Sequence, residues 1–211
     1  DKIKDLIHDN VSLNDIVVLY RTNAQSRIFE DGLMKANIPY RIIGGLNFYS
    51  RMEIKNLLAY LRIICNSQDN VSLERIINGI GTKTVSNLYD KSYLFNISLY
   101  DAIDSGKELV FKNMIEELKA KKDTMSLVEF IDLVLDKSGL KKELVDEKSL
   151  EADVRLENLE EFKSVAKSFE DEMGVVSLED FLLNVSLITD NNDLKEESNA
   201  VSLMTVHAVK G

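Results

Sequence analysis

Two strand-like runs stand far apart in this chain, and what lies between them limits the fold more than any other feature. The first is Ile16-Val17-Val18-Leu19-Tyr20, continuous, apolar and β-branched. It reads as a strand buried on both faces. The second is Val201-Ser202-Leu203-Met204-Thr205-Val206, almost at the other end. From about 70 to 190 no convincing strand occurs, and helix starts follow one another. Ser126-Leu127-Val128-Glu129 is a full capping box, leading into Phe130, Ile131, Val134 and Leu135, with Gly139 as the stop. Ser98-Leu99-Tyr100-Asp101 and Ser177-Leu178-Glu179-Asp180 are Asp-ended versions of the same cap. Residues 151–173 place Val154, Leu159, Phe162, Ala166 and Phe169 on a polar background, which predicts one long amphipathic helix. The polar stretch 189–199 reads as a mobile linker.

Around the first strand the pattern is α/β. Thr22-Asn23-Ala24-Gln25 matches a capping box for a helix that runs to about Ala36, with Ile28, Phe29 and Leu33 on its inner side. Asn37 and Pro39 end it, and Tyr40-Arg41-Ile42-Ile43 is a second short strand, closed by Gly44-Gly45. Ser50-Arg51-Met52-Glu53 is a further capping box, followed by Ile54, Leu57, Leu58, Leu61 and Ile64 at helical spacing. Strand, helix, strand, helix, then a helical stretch, then a strand describes a helical domain inserted into an α/β domain. Two or three strands make a poor sheet core, so the chain is expected to be a fragment trimmed at both ends.

Composition narrows the function classes. The chain has 211 residues, 45% of them hydrophobic, enough for one large domain or two small ones. No apolar run approaches the roughly 18 residues of a membrane span, and no secretory leader pattern opens the sequence, so a cytoplasmic protein is expected. A single cysteine, Cys65, excludes an internal disulfide and reads as a small core residue on an apolar helix face. Two distant histidines, His8 and His207, argue against a protein-only zinc site. The net charge of −10 is uneven. Residues 1–66 carry nine Lys/Arg and seven Asp/Glu, residues 67–198 sixteen and twenty-nine, and residues 199–211 only Lys210. The acidity belongs to the middle, which confines any nucleic-acid contact to local patches.

Three segments could carry chemistry. Thr205-Val206-His207-Ala208-Val209-Lys210-Gly211 puts a hydroxyl, an imidazole and an ammonium at the carboxyl end of a strand, where parallel sheets bind ligands. It could equally be an ordinary strand end with solvated polar groups. Gly44-Gly45 would let a phosphate approach the backbone, Phe48 and Tyr49 could stack on an unpaired base, and Arg51 would add charge at a helix N-terminus. The alternative is a tight Gly-Gly turn with Phe48 in the core. Arg21 and Asn23, just past a strand end, are weaker candidates. Ile77-Asn78-Gly79-Ile80-Gly81-Thr82-Lys83-Thr84-Val85 sets Gly-hydrophobic-Gly between two short helices, so amides at the second helix could face a phosphate beside Lys83. A plain helix–helix turn is the alternative, and the spacing is wrong for a Walker A loop.

These pieces together resemble a known family. Thr205-x-His207-x-x-Lys210-Gly211 after an apolar strand resembles motif V of superfamily 1 helicases. Val18–Arg27 and Ile38–Lys55 resemble consecutive blocks of UvrD/PcrA-type DNA helicases, and Leu127–Leu140 and Arg155–Phe162 resemble their inserted domain, closest to the PcrA branch. The matches keep the family's order from residue 15 to 211. The resemblance implies a partial second RecA-like motor domain of P-loop NTPase type, residues 1–66 and 199–211, interrupted by an inserted all-helical domain, residues 67–198. It implies an ATP-dependent 3′–5′ helicase or translocase of DNA repair and replication, with ATP and Mg²⁺ bound mainly outside this chain and no catalytic residue or metal site within it.

By the same resemblance Thr205 and His207 would touch the DNA backbone, and Lys210-Gly211 would lie toward the nucleotide. Gly79, Gly81, Thr82, Lys83 and Thr84 would form a helix-hairpin-helix that grips duplex without reading sequence. The family usually carries extra residues, often a proline and basic groups, between the equivalents of Asn78 and Gly79, and this sequence does not. Implied partners are single-stranded DNA, a duplex junction, the remaining motor domain and a repair or polymerase protein, but no membrane. A helicase–nuclease subunit is one other reading. Another, resting on the acidic middle, is a regulatory docking module for a basic partner.

Overall fold

A computed structural model describes residues 2–77, 82–193 and 199–210, apart from the side chains of 82–84, 190–193 and 209–210. The chain is mostly helical with one small parallel sheet, and it divides into two compact units: Asp1–Arg51 with Leu183–Gly211, and Met52–Leu182.

The first unit opens with a short helix α1 (Lys2–His8), which the sequence reading missed. It continues with strand β1 (Val17–Tyr20), helix α2 (Ser26–Lys35) and strand β2 (Tyr40–Ile42). The capping box at Thr22 forms, with Gln25 reaching back, through one turn of 3₁₀-helix at Asn23–Gln25. Asn37 takes φ 58°, a left-handed turn that Asn tolerates better than most residues, and α2 ends there. The third strand, β3, lies between the other two and pairs in parallel with both, in the order β1-β3-β2. Val17 stands opposite Ser202, Tyr20 opposite Thr205, and Ile42 opposite Leu203. A segment from one end of the chain thus completes a sheet begun at the other.

On one face of this sheet Ile16, Tyr20, Val201 and Leu203 form a core with Leu33 of α2, and Tyr20 stacks on Phe29 at 6.2 Å. The opposite face corrects an expectation. Val17 and Leu19 are 49% and 48% exposed, so β1 is not buried on both faces. It is an edge strand, and alternate side chains of a strand point to opposite sides. Ile28, expected on the inner side of α2, is also exposed. Ser26 and Glu30 take inward positions instead, and both are fully buried.

The second unit is all helix among its described residues: α3 (Met52–Cys65), α4 (Asn70–Ile77), α5 (Thr82–Phe95), α6 (Gly106–Lys121), α7 (Leu127–Ser138), α8 (Leu140–Glu147), α9 (Leu150–Met173) and the start of α10 (Leu178–Asp193). The apolar positions of α3 are buried as their spacing predicts. The Ser126 capping box forms with both bonds, and Gly139 closes α7 at φ 79°, in the left-handed region that suits glycine. The core is built on Phe130, Phe162, Phe181, Leu57 and Leu61, with Phe162 edge-on to Phe181 at 5.7 Å.

Three expectations in this region need correction. Glu53 does not close a capping box on Ser50: it is buried, and its carboxylate accepts from Asn158 Nδ2 at 2.5 Å, tying α3 to α9. Ser98 and Asp101 do bond each other, but they hold a turn, and α6 begins only at Gly106. The polar stretch taken as a linker is helical as far as Asp193. Asn and Asp cost a helix only a few tenths of a kcal/mol each, about 0.7 at most, so a helix anchored at Phe181 and Val185 propagates through them. Residues 194–198 lie outside the described residues.

Candidate nucleic-acid interface

Because all three strands run parallel, their carboxyl ends meet at one edge of the sheet. β3 (Val201–Thr205) ends at the half-buried Thr205 and passes into a 3₁₀ turn, Val206–Lys210, that leaves His207 exposed. β1 delivers Arg21 and Asn23, both exposed, to the same edge. The backbone there is fixed by Gln25, whose side-chain oxygen accepts from the Arg21 and Thr22 amides at 3.0 and 3.3 Å. β2 delivers the glycines: the Ile43 amide still donates to the Leu203 carbonyl at 2.9 Å, after which Gly44 and Gly45 are exposed. Gly44 has φ +75° and open space where a Cβ would stand. The edge therefore offers a guanidinium, an amide side chain, a hydroxyl, an imidazole and bare peptide groups. All can donate to phosphate oxygens.

Two residues expected at this surface are elsewhere. Phe48 is fully buried and edge-on to Tyr49, itself buried, so no stacking face is presented. Arg51 is buried as well: its Nη2 donates to the Asn23 carbonyl at 2.9 Å and to Ser26 Oγ at 2.7 Å, and its guanidinium lies 5.1 Å from the Phe48 ring centroid. Between the two readings of this turn, the structure has the Gly-Gly turn with Phe48 in the core. Arg51 is spent on holding the loop in place.

The residue that organises this loop was missed. Glu30, fully buried, accepts from Ser26 Oγ at 2.6 Å and from the Phe48 amide at 3.1 Å, with Tyr40 Oη at 3.4 Å. Burial raises its carboxyl above the ordinary range, against the opposing pull of these bonds and of Arg51. Ser26, Glu30 and Arg51 thus clamp the segment after Gly45 onto α2 and fix where the glycines sit. Ser26 and Glu30 are four apart on a helix, the one sequence signal that could have paired them.

The hairpin candidates divide. Gly79 and Gly81 lie outside the described residues. Thr82, Lys83 and Thr84 form the first turn of α5, with their side chains outside the description. Lys210 is in the turn after β3, its side chain likewise outside, and Gly211 is not described. Cys65 is half-buried, and burial with the Glu179 carboxylate nearby pushes its thiol up to about 12, as suits an inert packing residue. Among the described residues no group of three His, Cys, Asp or Glu side chains could hold a metal ion, and no helix is long and apolar enough to cross a membrane.

A mixed α/β chain, mostly helical, with polar groups gathered where parallel strands end is the class this architecture defines. The chain belongs to the UvrD-like helicase C-terminal domain family, whose sequence model matches residues 1–211. It is 42% identical over 215 residues to the ATP-dependent DNA helicase PcrA of Staphylococcus epidermidis, covering 94% of this chain and 29% of that protein. It is equally 42% identical over 214 residues to PcrA of Staphylococcus aureus, covering 93% of this chain and 29% of that one. The chain therefore spans less than a third of the length of these relatives.

Proposed function

We propose that this chain works as part of an ATP-dependent 3′–5′ DNA helicase or translocase of DNA repair and replication, in the cytoplasm. In this reading the sheet unit is a portion of the second RecA-like motor domain, and the helical unit is the domain inserted into it. The observation that carries the reading is the strand-end edge, where Arg21, Asn23, Gly44, Gly45, Thr205 and His207 are offered together to a sugar-phosphate backbone. Phe48 and Arg51 serve as positioning residues behind it, through Glu30. The turn at Gly79 and Gly81, with Thr82, Lys83 and Thr84, is assigned to duplex at the junction. Lys210 and Gly211 are assigned to the nucleotide side.

In this reading ATP and Mg²⁺ are bound mainly by the rest of the parent enzyme, and the chain by itself is expected to be inactive as an ATPase. The family match and the PcrA identity support this assignment.

Binding of a duplex with a 3′ single-stranded tail, measured across a range of salt, tests it. Removing one backbone-contacting charge by Arg21→Ala should lower the salt slope by about one unit. His207→Ala should weaken single-strand binding. A Gly79→Ala/Gly81→Ala/Lys83→Ala variant should lose the duplex part alone. Unchanged binding in both Arg21→Ala and His207→Ala would remove the strand-end edge from the DNA path.

A further inference from the structure

The last turn of α5 is apolar, and it stands clear of the unit that carries it. Leu88, one turn earlier, is buried and anchors the helix. Tyr93, Leu94 and Phe95 are 92%, 73% and 64% exposed. Successive helix residues point about 100° apart, so three exposed neighbours leave most of the turn's circumference open. This end is also closed by hydrogen bonds. Asn96 takes φ 50°, the Ile97 amide donates back to the Ser92 carbonyl at 3.1 Å, and Ser92 Oγ donates to the Ile97 carbonyl at 2.7 Å. That is the backbone closure of a Schellman-type cap, and it holds the exposed Ile97 beside the helix end. Tyr89, also exposed, precedes Tyr93 by one turn on the same side of the helix, and Ile97 adds to the cluster from just past the helix end. Such a cluster on a pinned scaffold marks a contact surface more than random surface composition does.

Charge decides what it contacts. A helix C-terminus carries partial negative charge, and this one has no basic residue in its last turn to offset it. Asp90 is exposed within a turn of Tyr93 and Leu94, and Tyr89 Oη donates to the Glu74 carboxylate. The one lysine between 85 and 105, Lys91, is paired with Asp104 at 2.7 Å. An apolar stripe with a negative rim repels a phosphate backbone or an anionic membrane. A second copy of the same acidic surface is disfavoured for the same reason.

We propose that the C-terminal end of α5 is a docking site for a partner protein's amphipathic segment, with aliphatic side chains against Tyr89, Tyr93, Phe95 and Ile97 and Lys or Arg against Asp90 and the helix carbonyls. Burying the apolar stripe supplies the affinity, and the cations supply orientation and specificity. The site makes no use of the DNA contacts assigned above, so either assignment can fail without the other.

The test uses the full 211-residue chain and an amphipathic helical peptide of Leu and Lys about 18 residues long, with a counterpart carrying Glu for Lys. Binding is followed residue by residue through amide NMR shifts. The Lys peptide should perturb residues 89–97, and Tyr93→Ser/Phe95→Ser should weaken it by about 10-fold or more at unchanged net charge. Asp90→Asn should reduce its salt dependence. The proposal is overturned if the double variant binds the Lys peptide as well as the parent does, because the attraction would then be general charge only. It is also overturned if the Glu peptide binds equally, or if a short duplex DNA shifts residues 89–97 and displaces the peptide.

Discussion

The two units hold themselves together differently. The sheet unit carries nine Lys/Arg and ten Asp/Glu, close to neutral, and the helical unit seventeen and twenty-six, a net of −9. The near-neutral unit fixes its key loop with buried polar groups, Ser26, Glu30 and Arg51, around a small core of five residues. The acidic unit keeps nearly all its charge on the outside, Glu53 excepted, and closes on large apolar side chains, Phe130, Phe162 and Phe181 among them. A three-stranded sheet with a partly exposed edge strand has little apolar area to bury, so directional bonds help set its geometry. The helices of the other unit are held by packing, which is tolerant of surface charge.

That difference can be broken first where packing alone should matter. Phe162→Ala removes a fully buried ring that meets Phe181 edge-on. The loss should be about 3–5 kcal/mol, read as a lower urea midpoint and as faster hydrogen exchange across α7, α9 and the start of α10. The sheet unit's exchange should hardly change. A loss below about 1 kcal/mol would mean that the bundle is not packed around this ring.

The matching change in the sheet unit is Arg51→Met. It leaves the apolar contact with Phe48 but strips the cation from beside Glu30 and the bonds to Ser26 and the Asn23 carbonyl. A cost of about 2–3 kcal/mol is expected, with faster exchange in residues 43–51. Glu30 also sets a pH dependence. Because burial raises its folded pKa, its contribution is fully present below the ordinary carboxyl range and is lost as pH rises through the folded value. Glu30→Gln should flatten that part of the stability profile. A profile that Glu30→Gln leaves unchanged would show that the carboxyl carries no such linkage.

Legibility followed the same division. In the helical unit the Ser126 capping box, the Gly139 stop and the span of α9 were readable, because caps and 3.6-residue periodicity are local signals. In the sheet unit the strands were readable but their surroundings were not. Nothing in Ile16–Tyr20 says that it forms an edge, since its position depends on Val201–Thr205 arriving from far along the chain. Phe48 and Arg51 look like a binding site in sequence, an aromatic and a cation after two glycines. Their burial is decided by Glu30, eighteen residues upstream of Phe48. A longer separation, 105 residues, hid Asn158, the partner that draws Glu53 away from the cap it seemed to form. Long-range polar bonds have no period, so a sequence pattern cannot announce them.

The smallest effect sharpens the comparison most, because it concerns a second carboxylate with the opposite sign. Glu129 accepts from the Ser126 amide at 3.0 Å and from Ser126 Oγ at 2.9 Å, and these bonds hold its carboxyl below the usual range. A depressed folded pKa adds stability above the ordinary carboxyl range, and this is lost as pH falls through the folded value. Acid should therefore weaken the start of α7 while it relieves Glu30, and exchange measured between neutral pH and pH about 4 should move the two sites in opposite directions. Ser126→Ala should cost about 1 kcal/mol at neutral pH, and the deficit should shrink as the pH drops and Glu129 gives up its charge. If acid loosens both sites together, the contrast between a buried polar clamp and a solvated cap does not describe these two units.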